Sequence, residues 1–307
     1  MLVRTQFTDL YLTDALPAID EVILARYNQF PEQYSKVFRT MNSRRSIEQT
    51  TEVTGLGQFV VVPESGDTKY DDPLQGFDKT YTHVQRSLGF KVSRIAADDD
   101  RWGFVKKMAT ELGKSARDTV EIVAAAVFNN GFDGAFTGPD GVALFSTAHP
   151  LVGGGTNKNT LSVAADLDVA SLELALTDFR DFRDHRNKRV RIAPRKLIVP
   201  PANAFNAAEI LKGTWRSDTA NHTINAFREW GGMPAFEELM VWDYLTDPDA
   251  WFVEGAPSDT ELRFYWREKF NIEHDIDFES RSIKTAGWMR FDVGWSAFWG
   301  VYGVPGA

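Results

Sequence analysis

A strict alternation of apolar and polar residues is the clearest pattern in the chain. Every odd-numbered residue from Met289 to Val301 is apolar, while Arg290, Asp292 and Ser296 are among the residues between them. A period of two indicates a β-strand with one buried face. At ~3.3 Å per residue, this stretch predicts a strand roughly 40 Å long.

A second periodic stretch predicts one long helix over residues 101–130. We expect Asp98–Asp100 to cap its N-terminus, although three adjacent carboxylates could instead bind a metal, and we expect Gly131 to end it. A helix and a strand of matching length predict a flat, elongated domain. The apolar residues of the helix recur at steps of three and four: Val105, Met108, Leu112, Ala116, Val120, Val123 and Val127.

The region between residues 50 and 97 has a β-rich pattern. It predicts two strands, Phe59–Val62 and Lys79–Ile95, joined by a polar turn into a long β-hairpin. An isolated hairpin is marginal in water, so it must lie on its own core or on a neighbouring subunit, and the pattern does not decide between them. In the second strand one face carries Thr80, Thr82, Val84, Leu88, Phe90 and Val92, and the other carries Lys79, His83, Gln85, Lys91 and Ser93.

The remaining segments predict a mixture of short helices and strands. A helix lies within the first 45 residues, where Phe7 to Ile23 have helical spacing, and another spans Leu167–Phe182 with Asp166 or Asp168 as its cap. The other predicted elements are a buried strand at 197–199, a helix at 202–212, strands at 239–245, 251–253 and 262–267, and alternating residues from 270 to 279.

Composition excludes several classes of protein. The absence of cysteine excludes disulfides, thiol catalysis and cysteine-ligated metals. A net charge of −9 argues against tight, sequence-independent binding of nucleic acid. No apolar run reaches the roughly 20 residues of a membrane span, and the acidic first 20 residues do not resemble a secretory signal. The 307 residues are enough for one large domain or two intimate ones.

No motif for catalysis, cofactor binding or metal binding stands out. The five histidines do not form an HExxH pair, residues 294–298 lack the last glycine of a nucleophile elbow, and Gly113–Ser115 lies within the predicted helix. Asp275, Asp277 and Glu279 share a strand face, which is typical of a solvated surface. Eight basic residues between 180 and 196 could contact nucleic acid, but Asp178, Asp181 and Asp184 are expected to neutralise them in part as i,i+3 neighbours.

The order of the predicted elements resembles the α+β Hong Kong 97-type major capsid protein of tailed phages. Longer phrases resemble the Mu-like major head subunit family more specifically. They are GPDGVALFSTAHPL at 138–151, LIVPPA at 197–202, YLTDPDAWF at 244–252 and VGWSAFWGVYGVPGA at 293–307.

This resemblance implies a domain plan and a self-assembling icosahedral head. The plan is an N-terminal arm (1–45), an extended loop (46–97), a peripheral domain (98–189) with a spine helix (101–130), an axial domain (190–280) and a terminal strand (281–307) that returns to the peripheral domain. The loop would lie across the adjacent subunit. Its proposed interface residues are Phe59, Tyr81, His83, Arg86 and Phe90.

The resemblance also implies partners. Copies of the chain would form hexamers and pentamers around double-stranded DNA held by weak, non-specific contacts, with a portal protein and in some phages a decoration protein. Because the hairpin begins near residue 50, we expect the scaffolding protein and protease to be separate chains. Assembly would take place in the host cytoplasm and give a virion component with no cofactor or membrane. The alternative is the shell of a bacterial encapsulin-type nanocompartment with an enzyme cargo.

Overall fold

A long helix and two four-stranded sheets form the α+β fold. The structure is a computed structural model that describes residues 16–93, 102–213, 227, 236–277, 279 and 282–307. The helices are α1 (Leu16–Gln29), α2 (Tyr34–Val37), α3 (Trp102–Asn129), α4 (Val169–Phe179) and α5 (Ala204–Lys212), the last preceded by a 3₁₀ turn at Pro201–Asn203. The strands are β1 (Arg39–Asn42), β2 (Ile47–Val53), β3 (Gln75–Thr82), β4 (Val84–Ser93), β5 (His149–Pro150), β6 (Thr156–Asn157), β7 (Lys196–Val199), β8 (Glu238–Val241), β9 (Trp251–Glu254), β10 (Leu262–Asp277), β11 (Ser282–Trp295) and β12 (Val301–Val304).

The first sheet has the order β1-β10-β11-β4 and lies against α3. β1 is parallel to β10, whereas β10, β11 and β4 are antiparallel. The separate strands expected at 262–267 and 270–279 form one strand, β10, because the chain passes through a register shift between Trp266 and Asn271 without leaving the sheet. The predicted long helix is present as α3, whose 28 residues span roughly 42 Å. The expected cap, Asp98–Asp100, lies outside the described residues.

The predicted terminal strand is wrong at both ends. β11 begins at Ser282, before the alternation becomes strict, and ends at Trp295. The backbone N–H of Ser296 bonds to the carbonyl of Glu261, and Gly300 turns the chain with φ +79°. β12 then joins the second sheet. All four residues of β12 are buried, because the second sheet packs one face on the cluster with Ile198, Phe252 and Val301 and the other face on the cluster with Leu197, Val253 and Tyr302.

The predicted hairpin strands also differ from those observed. β2 pairs with β3, and Phe59–Val62 lies in the irregular segment between them. β4 leaves the hairpin and pairs with β11 from Val84 to Ser93. The predicted face is reversed near the base, where Tyr81 and His83 are buried. Four residues of the expected apolar face are exposed: Thr80 and Thr82 on β3, and Val84 and Leu88 on the edge strand β4.

The second sheet, of order β12-β9-β7-β8, packs against α4 and α5 in the apolar cluster that also contains Phe179, Leu197 and Tyr302. α4 begins at a capping box in which Asp168 accepts the backbone N–H of Ser171 at 2.5 Å. Of the two predicted caps, Asp168 is therefore the one used, while Asp166 accepts the backbone N–H of Ala307 at 3.0 Å.

Candidate assembly surface

The base of the hairpin is fixed to the first sheet by buried polar contacts. Tyr81, which is only 1% exposed, shares a 2.8 Å hydrogen bond with Ser296 through its hydroxyl, and burial raises the pKa of this tyrosine. His83 shares a 3.0 Å bond with the Ser43 hydroxyl, and burial lowers its pKa. These contacts hold the end of β3 at the point where the chain enters β4.

A second anchor comes from two consecutive residues of the turn after α4. His185 Nε2 lies 2.8 Å from a carboxylate oxygen of Glu52, and the imidazole is held edge-on between the rings of Phe77 and Trp299. Sequence reasoning did not identify the Glu52–His185 pair, because 133 residues separate its partners.

Arg186, the next residue of that turn, extends the anchor toward the tip of the loop. Its guanidinium donates to Asp71 at 2.8 Å and also to the carbonyl of Asp72. The backbone N–H of Gly57 also donates to Asp71. This bond, which has the largest effect, and the bond from Arg186 together hold the pKa of the Asp71 carboxyl below its usual range. The loop is thus restrained at residues 52–57 and 71–72.

Beyond these anchors, the tip of the loop (residues 56–70) exposes apolar side chains to solvent. Phe59 is 108% exposed, Val61 98% and Tyr70 94%. Glu64 and Asp67 lie between them and are also exposed. An uncovered apolar segment of this kind marks a surface that contacts another molecule.

A groove between α3 and the edge strand β4 is a second open surface. It contains a cavity of about 90 Å³ whose apolar wall includes Leu112, Ala116 and Met289. Arg86 lines this cavity, stacks on the Phe291 ring at 4.2 Å, and donates to two backbone carbonyls. Burial lowers the pKa of Arg86, and the charge of the Asp292 carboxylate raises it in part. No carboxylate of the described residues forms an ion pair with it.

The structure places the five proposed interface residues in four environments. Phe59 lies on the exposed tip, and Arg86 lines the groove. Tyr81 and His83 are buried by contacts within their own chain, and Phe90 packs against the apolar cluster shared by α1 and α3. The structure therefore separates these five residues and does not bring them together as one surface. The interface assignment stays a prediction.

The basic residues at 180–196 are neutralised differently from the expected i,i+3 pattern, since α4 ends at Phe179. Asp181 pairs with Arg183 at 3.4 Å and with Arg189 at 2.9 Å. The other observed pairs join separate segments of the chain: Arg186–Asp71, Arg195–Glu237, Lys196–Glu254 and, for Asp178, Lys158.

A buried Asp–His pair that sequence reasoning missed does not form a reactive site. His149 is completely buried, with one ring nitrogen 2.6 Å from Asp140 and the other 3.0 Å from the side-chain oxygen of Asn159. Phe298 stacks on the ring at 4.0 Å. Both nitrogens are occupied and the ring is covered, so the pair fixes the segment after α3, and the stacking on Phe298 joins that segment to the turn after β11.

The other chemical candidates are structural as well. Ser296 bonds to Tyr81, and Asp277 pairs with Lys91 and Lys284. Within the described part of the chain, no three His, Asp or Glu side chains cluster as metal ligands would. None of its described helices combines the length and apolar character needed to cross a membrane.

Sequence comparison identifies a family. A family model described as phage capsid protein matches residues 77–304, which is about three quarters of the chain. No curated protein sequence matches the chain.

Structural comparison finds the same fold in solved shells. The capsid of Ralstonia phage GP4 matches with a TM-score of 0.56 at 12% identity, covering 88% of this chain and 87% of that one. A virus-like particle from Pyrococcus furiosus gives 0.54 at 10% identity, with coverages of 94% and 98%. The capsid of bacteriophage JBD30, decorated with minor capsid protein trimers, gives 0.54 at 16% identity, with coverages of 71% and 92%.

Proposed function

Because this chain belongs to the phage capsid protein family, we propose that it is the major capsid protein of a tailed phage or Mu-like prophage and assembles as hexamers and pentamers into the icosahedral head. The observation that carries this proposal, beyond the family match, is the loop tip, whose apolar side chains no described residue of their own subunit covers. A subunit that stays alone would leave this surface in water.

The architecture suits a shell subunit. Closed shells use heterologous contacts, in which a surface of one copy meets a different surface of the next. A loop that is anchored at its base and exposed at its tip provides one half of such a contact. Many modest contacts around each subunit then hold it in place together.

We assign this chain a structural role without a cofactor or catalytic site. Its partners would be further copies of itself, a separate scaffolding protein and protease, a portal protein and, as in the JBD30 capsid, a decoration protein. Its acidic net charge suits weak, non-specific contact with packaged double-stranded DNA, since a strongly basic wall would oppose both filling and ejection. Assembly would take place in the host cytoplasm before the head becomes part of the virion.

A nanocompartment shell of the encapsulin type is the second candidate. The likeness to a virus-like particle from Pyrococcus furiosus supports it only at the level of fold. Genes for a portal and a terminase beside this one would favour the phage head, whereas a neighbouring enzyme gene would favour the compartment.

Negative-stain microscopy paired with size-exclusion chromatography tests the proposal, with the chain expressed alone and together with scaffold. Closed shells, tubes or rings of five and six subunits are the expected result. A monomer at every concentration, with scaffold present, would overturn the assignment.

A further inference from the structure

We propose that the turn after α4, residues 180–191, binds the phosphate backbone of double-stranded DNA, with Arg180, Lys188 and Arg191 as the side chains that contact phosphate. This inference rests on the proposed function, which supplies the nucleic acid, and it names the surface of the subunit that the DNA meets. Ion pairs within the subunit leave these three cations uncompensated.

The charge of the turn after α4 is opposite in sign to that of the chain. The turn contains six basic and two acidic residues, whereas the whole chain has a net charge of −9. Asp181 and Asp71 neutralise three of the six basic residues. The other three, Arg180, Lys188 and Arg191, are exposed to solvent, and none of the described carboxylates forms an ion pair with them. A local excess of positive charge on an acidic protein attracts a polyanion to that place.

Hydrogen bonds fix the backbone of this turn. The backbone N–H of Val190 donates to the carbonyl of Phe182, and that of Asp184 donates to the carbonyl of Lys188, both at 2.8 Å. The Asp184 carboxylate accepts the backbone N–H groups of Arg186 and Lys188 at 2.9 and 2.8 Å, so it is engaged by the turn itself. The cations therefore extend from a fixed backbone, which reduces the ordering that binding must impose.

The exposed side chains of the turn favour nucleic acid over a protein partner. All of them are polar or charged: Arg180, Asp181, Asn187, Lys188, Arg189 and Arg191. The core of a protein–protein contact is depleted of charged residues and enriched in aromatic ones. Contact with a phosphate backbone requires only positive charge and hydrogen-bond donors, which guanidinium and ammonium groups supply. Because phosphates carry no sequence information, the contact should be independent of DNA sequence.

The salt dependence of DNA binding tests this assignment. Fluorescence anisotropy follows the binding of the purified subunit to a short labelled duplex over a series of KCl concentrations. Each phosphate contact contributes about 0.9 to the slope of log K against log salt concentration. We therefore expect Arg180→Gln, Lys188→Gln and Arg191→Gln each to lower the slope by about 0.9, and the triple variant to lower it by about 2.7. Duplexes of unrelated sequence should give the same slope.

A second triple variant is the matched control. Lys106→Gln, Lys107→Gln and Lys269→Gln together remove the same charge at exposed positions on α3 and β10, outside the turn, and should leave the slope unchanged. Thermal denaturation midpoints equal to that of the unmodified chain show that both triple variants fold. Equal decreases of the slope in the two triple variants would show that binding follows net charge, and would overturn the site.

Shell formation separates this inference from the capsid assignment. The triple variant of the turn should form shells at the yield of the unmodified chain, because the turn contacts DNA and not another subunit. A folded triple variant that no longer forms shells would show that the turn meets an acidic surface of another copy, and would overturn the inference. Shells of the unmodified chain whose free subunit shows no salt-dependent DNA binding would overturn it as well, and would leave the capsid assignment intact.

Discussion

Glu121 shows how a single buried residue joins three parts of the fold. This carboxylate on α3 accepts the backbone N–H groups of Gln33 and Tyr34 at 2.8 and 3.1 Å and the indole N–H of Trp242 at 3.3 Å. Burial raises its pKa, and these hydrogen bonds lower it in part. One side chain thus ties the start of α2 and the segment after β8 to the long helix.

Replacing Glu121 should therefore be costly. In Glu121→Ala three donors lose their acceptor, and we expect the free energy of unfolding to fall by roughly 3 kcal/mol, since each unsatisfied buried group costs about 1–3 kcal/mol. Urea denaturation measures this change. Glu111→Ala, at an exposed position of the same helix, is the matched control and should change stability by less than about 0.5 kcal/mol. Equal losses in the two variants would contradict the assigned role.

Glu254 should make stability depend on pH. Its carboxylate is fully buried, accepts no hydrogen bond from the described residues, and lies 3.8 Å from Lys196 Nζ. Burial raises its pKa well above the ordinary value despite that lysine. Its contribution to stability is complete below the unfolded pKa near 4.5 and is lost as pH rises through the folded pKa. Chemical denaturation from about pH 5 to about pH 8 should show Glu254→Gln gaining stability relative to the unmodified chain. A constant difference across this range would show that Glu254 is not the titrating group.

At the scale of elements, α1 crosses α3 at a glycine. A Cβ atom on Gly113 would overlap the carbonyl oxygen of Ile23, so the backbones of the two helices touch there. The Gly-Lys-Ser sequence at 113–115, which resembles the end of a phosphate-binding loop, is thus explained by helix packing. The absence of a side chain permits the contact.

Gly113→Ala should destabilise the protein although alanine favours a helix by about 1 kcal/mol. The added methyl group forces α1 away from α3, and overpacking of this kind costs roughly 1–3 kcal/mol. Gly103→Ala in the same helix is the matched control, because no atom of the described residues lies within 4 Å of the added atom. Thermal denaturation should rank Gly113→Ala below the unmodified chain and Gly103→Ala level with it or above. The reverse order would disprove the close crossing.

At the scale of the whole molecule, the contacts of the extended loop with the rest of the described chain lie along its base. The loop is held to the rest of the subunit by Glu52, Asp71 and Tyr81. The side chains of its tip are exposed to solvent. Segments with few buried contacts open most readily. In the assembled shell, another copy should cover the tip of the extended loop.

Limited digestion with chymotrypsin should reveal that difference. In the free subunit we expect the first cuts after Phe59 and Tyr70, whose side chains are fully exposed. In assembled shells the same bonds should resist cleavage, because another copy covers them. Mass spectrometry of early fragments identifies the sites. First cuts elsewhere in the free subunit, or unchanged cutting in shells, would contradict this account of the loop.

The sequence by itself determined the elements whose pattern is local. Apolar residues at steps of three and four determined α3. Alternation identified a strand at β11 without fixing either of its ends, and the pattern before α4 left Asp166 and Asp168 as alternative caps. The phrases at 138–151, 197–202, 244–252 and 293–307 indicated a phage capsid family, and a phage capsid family model matches the chain.

Only the tertiary structure decided which strands pair and which faces are buried. Phe59–Val62 has the composition of a strand, yet none of the described strands pairs with it. Tyr81 is buried and bonds to Ser296, which lies 215 residues away in the sequence. The pairs Glu52–His185 and Asp71–Arg186 join residues more than 100 positions apart. Strand pairing and ion pairing depend on what the folded chain brings close, and local periodicity carries no record of that.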